Sequence, residues 1–137
     1  MNDLSRQATR LEAIGGRFDP WLTGAALNGT LAGGAMGMVL ACDLRISVPQ
    51  AKVFYPVMKL GFLPQPSDPK RLVALVGPAR AKMILMAGQE IDAAEALSWG
   101  LIDRIVAPEA METVLAELLA DVTAAHPSHV AAIKGLI

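Results

Sequence analysis

The segment NGTLAGGAMGMVLACD, residues 28–43, constrains this chain more than any other. It opens on the turn pair Asn28-Gly29, sets Gly33 beside Gly34, and continues as an apolar run interrupted only by Gly37. With WLTGAAL before it, the pattern predicts a short buried strand, a tight turn, and a helix over residues 34 to 42 that is entered through two glycines. The first turn of a helix leaves N–H groups without intrahelical acceptors, and the dipole adds roughly half a positive charge there. Glycine lets a foreign atom approach those amides closely. Three uses suit the pattern. Small residues at 33, 34, 35 and 37 permit tight packing against a neighbour. The amides can stabilise an oxyanion formed from a thioester or ester carbonyl. They can also hold phosphate. The phosphate use lacks its companions, because neither G-x-x-x-x-G-K-[ST] nor G-x-G-x-x-G followed by an acidic residue about 20 positions later occurs.

The flanking sequence predicts an α/β order. Leu4, Ala8, Leu11 and Ile14 share one helical face, so residues 3 to 14 read as a short helix, which GGRFDP ends. Phe18 and Trp21 are expected in packing. LRISV and KVFY predict strands separated by a turn at Pro49-Gln50, and VMKLGFLPQPS reads as irregular. Asp68 before Pro69 suits the N-cap of a helix, although Ser67 could cap instead. Gly77-Pro78 divides that helix from a second one ending at Gly88. Asp92 and Glu95 form a D-x-x-E box opening a third, which Gly100 closes. LIDRIV predicts a strand. Pro108 opens the most amphipathic stretch, with Met111, Val114, Leu115, Leu118 and Val122 at helical spacing, and a last helix follows Pro127.

Composition narrows the function. The 137 residues suit one domain, and a hydrophobic content of 53% supplies ample core. A net charge of −1 argues against a sequence-independent nucleic-acid binder. The longest apolar stretch, residues 22 to 42, is broken by five glycines, so no membrane span is expected. No basic segment leads into an apolar one at the start, so no secretory leader is expected. With a single cysteine, Cys42, the simplest placement is cytoplasmic with a buried, reduced thiol. His126 and His129 lie three apart without a third ligand, so no metal site is expected. Met36, Met38 and Met58 read as core fillers. Tyr55 reads as a half-buried strand tyrosine within possible reach of a substrate. Lys70, Arg71, Arg80 and Lys82 form a modest basic cluster.

The glycine segment, in ALNGTLAGGAMGMVLACDLRIS, resembles the signature of the crotonase superfamily, the enoyl-CoA hydratases and isomerases, roughly N-G-x-x-x-G-G-G-x-E-x-x-x-x-C-D. AKVFYPVMKLGFLP resembles the family's A-x-F-x-x-P-E-x-x-x-G-x-x-P. RLVALVGPARAKMILMAGQEIDAAEALSWGLIDRIV resembles its next block. Together these cover residues 24 to 125. The resemblance implies a partial crotonase-like ββα spiral core over residues 1–107. It also implies C-terminal helices over 108–137 that serve oligomerisation, as a trimer or hexamer. The substrate it implies is a coenzyme A thioester of fatty acid metabolism, with no bound cofactor. Gly34 takes the place of the family's second oxyanion-hole donor, with Gly33, Gly37, Val57 and Gln65 around the substrate. Lys70, Arg71 and Lys134 are candidates for the CoA phosphates.

The sequence departs from the pattern at the catalytic positions. The two hydratase glutamates fall on Gly37 and Val57, and hydration needs a positioned acid and base that neither residue supplies. No glutamate occurs between Glu12 and Glu90. Asp68 is the nearest acid–base candidate. The family's first oxyanion donor, in a loop of type A-F-x-x-G-x-D, and its adenine-binding strand edge are expected to be missing. The chain thus reads as the C-terminal half of such a protein. Three functions stay open: an acyl-CoA enzyme, a catalytically silent relative, or one chain of a split enzyme that needs a partner for the other half.

Overall fold

The computed structural model describes residues 10–13 and 22–137. The fold is mixed α/β, built on two small sheets. The first has the order β1(Arg10–Ala13)–β2(Thr23–Leu27)–β4(Leu44–Ser47)–β7(Arg104–Ile105). Here β2, β4 and β7 run parallel, and β1 lies antiparallel on β2 with Leu11 opposite Ala25. The second sheet has the order β3(Leu31–Ala32)–β5(Lys52–Phe54)–β6(Ile91–Asp92), with β3 parallel and β6 antiparallel to β5. All five β2 residues are buried, the pattern of a central strand covered on both faces rather than one with a wet side.

Among the described residues eight α-helices are interleaved with and follow these strands. They are α1(Ala35–Ala41), α2(Val57–Leu60), α3(Asp68–Val76), α4(Pro78–Leu85), α5(Ala93–Ser98), α6(Met111–Leu118), α7(Ala120–Ala124) and α8(Pro127–Leu136). Leu27, Met36, Ile46, Leu72, Ile84 and Leu101 are among the fully buried side chains of one continuous core. The punctuation read from sequence holds at most joints. Gly77 and Gly88 adopt positive φ after α3 and α4, and Gly100 does so after α5. Asp92 caps α5, accepting from the Glu95 N–H at 2.8 Å.

Four expectations about the elements and the core fail. Residues 10–13 form a strand, not part of a helix, because they pair with β2; residues 3–9, Ile14, Phe18 and Trp21 lie outside the described residues. VMKL, taken as irregular, is the helical turn α2, ended by Gly61 at φ 75°. The amphipathic stretch after Pro108 is a 3-10 turn and two helices broken at Leu119 (φ −99°, ψ 3°), and Met111, Leu115 and Leu119 carry its buried face. Met36 is in the core, whereas Met38 and Met58 are 60% and 56% exposed.

A buried arginine, unremarked in the sequence, ties α1 to both neighbouring layers. Arg45 on β4 is 3% exposed. Its Nε donates to the Leu101 carbonyl at 2.8 Å, and its Nη1 donates to the carbonyls of Cys42 and Val39 at 2.6 and 3.3 Å. Its backbone N–H donates to Asp103 Oδ2 at 2.8 Å. Burial lowers its pKa from the ordinary value, and the Asp103 charge opposes that shift.

Candidate active site around the N-terminus of α1

The three glycines of the segment stand in three different situations. Gly33 adopts φ 57°, a left-handed conformation that glycine takes without strain, and its N–H donates to the Phe54 carbonyl at 3.4 Å. Its own carbonyl accepts from Met36. Gly34 occupies the N-cap of α1 at φ −61°, ψ −25°, and is exposed. A Cβ on Gly33 or Gly34 would meet nothing within 4 Å. Close packing therefore does not explain these two residues. Among the described residues the Gly34 N–H has no acceptor, as the geometry of a first helical turn dictates.

Gly37 differs from both. A Cβ there would lie 3.0 Å from Oδ1 of Asp68 and 3.4 Å from Oδ2. The space beside residue 37 is already filled by a carboxylate from α3, which packs against α1.

Asp68 is not the helix cap that its place before Pro69 suggests. Ser67 takes the N-cap position, without a side-chain cap bond, and Asp68 turns inward to 1% exposure. Its Oδ2 accepts from the Tyr55 hydroxyl at 2.8 Å, and that hydroxyl oxygen accepts from the Gln65 N–H at 3.2 Å. Oδ1 is buried and, among the described residues, has no hydrogen-bond partner. Leaving a buried polar atom unpaired costs about 1–3 kcal/mol, and more when it is charged. Such an atom calls for an explanation in terms of strain, chemistry or a missing guest. The first turn of α3 offsets part of the cost, since the helix dipole favours negative charge by about 0.3–1 kcal/mol. Tyr55, 4% exposed, is fully buried rather than half-buried. Burial raises its pKa, and the bond to Asp68 adds to that, so the phenol stays a donor through the neutral range.

The other sequence candidates scatter. Val57 is buried at the start of α2, its N–H donating to the Tyr55 carbonyl at 2.8 Å. Gln65 is exposed, and its main chain rather than its side chain serves the site. Lys70 and Arg71 are exposed on α3, and Arg71 Nη1 donates to Ser67 Oγ at 3.1 Å. Arg80 stacks over Trp99 at 5.4 Å. Lys134 on α8 pairs with Asp43 Oδ2 at 2.8 Å, and the same oxygen accepts from the backbone N–H and hydroxyl of Thr23. An apolar cavity of about 690 Å³, lined in part by Leu22, Leu44, Val130 and Ile133, opens beside that pair. His126 caps α8, its Nδ1 accepting from the Ser128 N–H at 3.2 Å. Among the described residues no group of three or more His, Cys, Asp or Glu could hold a metal ion, and no helix is long and apolar enough to cross a membrane.

Sequence reasoning missed the Tyr55–Asp68 pair and the contact between Asp68 and Gly37. The available signal was the coincidence of a glycine at one family carboxylate position with an aspartate eleven residues after the other.

A sequence model described as enoyl-CoA hydratase/isomerase matches residues 20–137. The chain is 36% identical over 110 residues to the carnitinyl-CoA dehydratase of Citrobacter koseri, covering 80% of this chain and 42% of that protein. It is 42% identical over 85 residues to a short-chain-enoyl-CoA hydratase of Clostridioides difficile, covering 62% of this chain and 54% of that one. The fold superposes on the crystal structure of enoyl-CoA hydratase from Bacillus halodurans with a TM-score of 0.80 at 30% identity, over 87% of this chain and 48% of the other. A Thermobifida fusca structure in complex with acetoacetyl-CoA gives a TM-score of 0.77 at 32% identity, over 82% of this chain and 44% of that one. The chain thus spans about half the length of the relatives it matches.

Proposed function

The chain belongs to the enoyl-CoA hydratase/isomerase (crotonase) family, and on that premise we propose that it binds an acyl-CoA thioester with the Gly34 amide on the thioester oxygen. One observation carries this reading. The Gly34 N–H stands at the N-cap of α1, exposed, beside open space, with no acceptor among the described residues. A donor fixed in place and aimed by a helix dipole favours an oxygen that gains charge during reaction. The acetoacetyl-CoA complex of the Thermobifida fusca relative supports the ligand class. In this reading exposed Lys70 and Arg71 would meet the CoA phosphates. Lys134, engaged with Asp43, would have to exchange partners to join them.

The φ of −61° at Gly34 provides a direct test, because it matches the angle that proline imposes, and Gly33 before it is itself a glycine. Gly34→Pro deletes the N–H with little change of backbone. In calorimetric titration of the full chain, we expect this variant to lose about 10- to 100-fold in affinity for acetoacetyl-CoA, as for one bond to a charge-bearing group. Affinity for coenzyme A itself, which lacks the carbonyl, should stay the same. Equal loss for both ligands, or for neither, refutes the oxyanion role.

A second reading has its own support. Gly37 and Val57 occupy the positions of the two hydratase glutamates, so hydration of crotonyl-CoA should not exceed background. On this reading the chain is a catalytically silent relative, or one that a second chain completes with the other oxyanion donor. Homo-oligomerisation through residues 108–137 belongs to the same proposal. The exposed Ile133 and Leu136 of α8 give apolar surface for such contacts.

A further inference from the structure

We propose that the apolar cavity between α7, α8 and the starts of β2 and β4 is a second ligand site, and that its ligand is a primary amine carried on an unbranched alkyl chain. The inference stands apart from the thioester reading above.

The cavity lies away from Gly34. Leu22, in its lining, precedes β2, and the turn at Asn28-Gly29 follows that strand. The five residues of β2, about 17 Å at roughly 3.3 Å each, therefore run from the cavity toward the glycine segment. On the helix side, Gly34 caps α1 and Asp43 comes just after the C-cap Cys42, with seven helical residues, about 10 Å, between them. A guest held at Asp43 and one held at Gly34 occupy opposite ends of the same helix.

Volume and lining argue for a guest with a hydrocarbon tail. At about 690 Å³ the cavity falls within the roughly 300–1,000 Å³ of small-molecule sites, whereas packed interiors keep few voids larger than a water molecule. Leu22 and Leu44 line it from the strand starts, Val122 and Ala125 from α7, and Val130 from α8. A wall of this kind favours a plain alkyl chain, which gains with each methylene withdrawn from water.

The head group follows from charge. The ionisable residues of the lining are Asp43, Asp121, Lys134 and His129. Lys134 is committed: its Nζ donates to Asp43 Oδ2 at 2.8 Å, and that oxygen also accepts from the Thr23 N–H and hydroxyl at 2.8 and 3.1 Å. An anionic head would compete with Asp43 for the lysine and would face a second carboxylate in Asp121. A cationic head meets the reverse situation. Among the described residues Asp43 Oδ1 and the Asp121 carboxylate accept no hydrogen bond, so Asp43 can keep its lysine on Oδ2 while Oδ1 receives an amine. A primary ammonium brings three donors, enough for a carboxylate oxygen and water together.

Calorimetric titration of the full chain at mildly alkaline pH with octylamine, hexylamine, 1-octanol and octanoate tests this. Octylamine should bind about 15-fold tighter than hexylamine, the gain for two buried methylenes. It should bind about two- to fivefold tighter than 1-octanol, as for a partly exposed ion pair, and octanoate should bind weakest. Ala125→Phe should weaken octylamine by about tenfold or more, because the ring takes the ligand's volume. Asp121→Asn should narrow the gap between octylamine and 1-octanol and leave 1-octanol unchanged, which a mere loosening of the cavity would not do. Saturating acetoacetyl-CoA should leave octylamine binding as it is. No octylamine binding, affinity independent of chain length, octanoate as tight as octylamine, an amine preference that Asp121→Asn leaves intact, or displacement by acetoacetyl-CoA overturns the proposal. A chain that self-associates in sedimentation velocity, becomes monomeric as Ala125→Phe and binds no octylamine also overturns it, and assigns the cavity to a second copy. Octylamine binding without thioester binding sustains this site and removes only the earlier reading. Should Ala125→Phe fail to fold by circular dichroism, Val122→Thr, similar in size but carrying a hydroxyl, decides: octylamine about threefold weaker supports the site, and unchanged affinity overturns it.

Discussion

Two charged side chains are buried against α1, and they are served differently. Arg45, under the C-terminal end, donates to three carbonyls from two segments, while its backbone engages Asp103. Asp68, beside Gly37, has among the described residues one strong partner and an oxygen with none. A buried charge with its hydrogen bonds complete joins the pieces it touches. A buried charge left unfinished costs stability. One helix therefore carries a fastening at one end and an unpaired carboxylate oxygen near the other.

Arg45→Ala should strain this contrast most. Removing the guanidinium leaves the Leu101, Cys42 and Val39 carbonyls without that donor, and breaking a buried charged network costs about 3–5 kcal/mol. Thermal unfolding should drop by roughly 10–20 °C for a chain of this size. Asp68→Ala, judged by the same melt, should cost far less. Equal losses would mean that Asp68 is as structural as Arg45.

A smaller effect sharpens the Asp68 side. Gly37→Ala gains about 1 kcal/mol of helix propensity but forces a methyl to 3.0 Å from Oδ1, with overpacking of about 1–3 kcal/mol. The net change should be destabilising in wild type and should turn stabilising once Asp68 is alanine. A double-mutant cycle by urea denaturation would read a coupling of about 1–3 kcal/mol. Additive values would remove the claim that the two residues share one space.

The smallest effect concerns Cys42 at the fastened end. Burial raises its thiol pKa, so the folded chain holds the proton to higher pH than the unfolded chain does. Its contribution is complete below the unfolded thiol's range and is lost as pH climbs through the raised folded value. Iodoacetamide should therefore alkylate the native chain much more slowly than the urea-unfolded chain at mildly alkaline pH. Similar rates would indicate that this end of α1 is open.

The sequence made the local rules legible and left the long-range ones dark. The turn–glycine–helix order around residues 28–42, the Asp92 cap and the glycine helix stops depend on neighbours a few residues away, and they stand where the pattern put them. The family resemblance added the place of Gly34. Residues 10–13 were misread because Leu11 keeps helical spacing with Leu4 and Ala8, while pairing with β2 decides their conformation. β3 and β6, two residues each, are too short to carry a period. Asp68 was misjudged because an aspartate before proline satisfies a local capping rule. Its real partner, Tyr55, lies 13 positions upstream and is met only through packing.

The bond between Lys134 and Asp43 spans 91 positions, linking α8 back to the turn after α1. A closure that long repays its entropy only after the intervening segments have formed, so it belongs among the last events of folding. During synthesis at about 5–20 residues per second, Asp43 waits several seconds for its lysine to appear. Through that interval the apolar hollow beside Leu22 and Leu44 lacks its α8 wall and stands open to water.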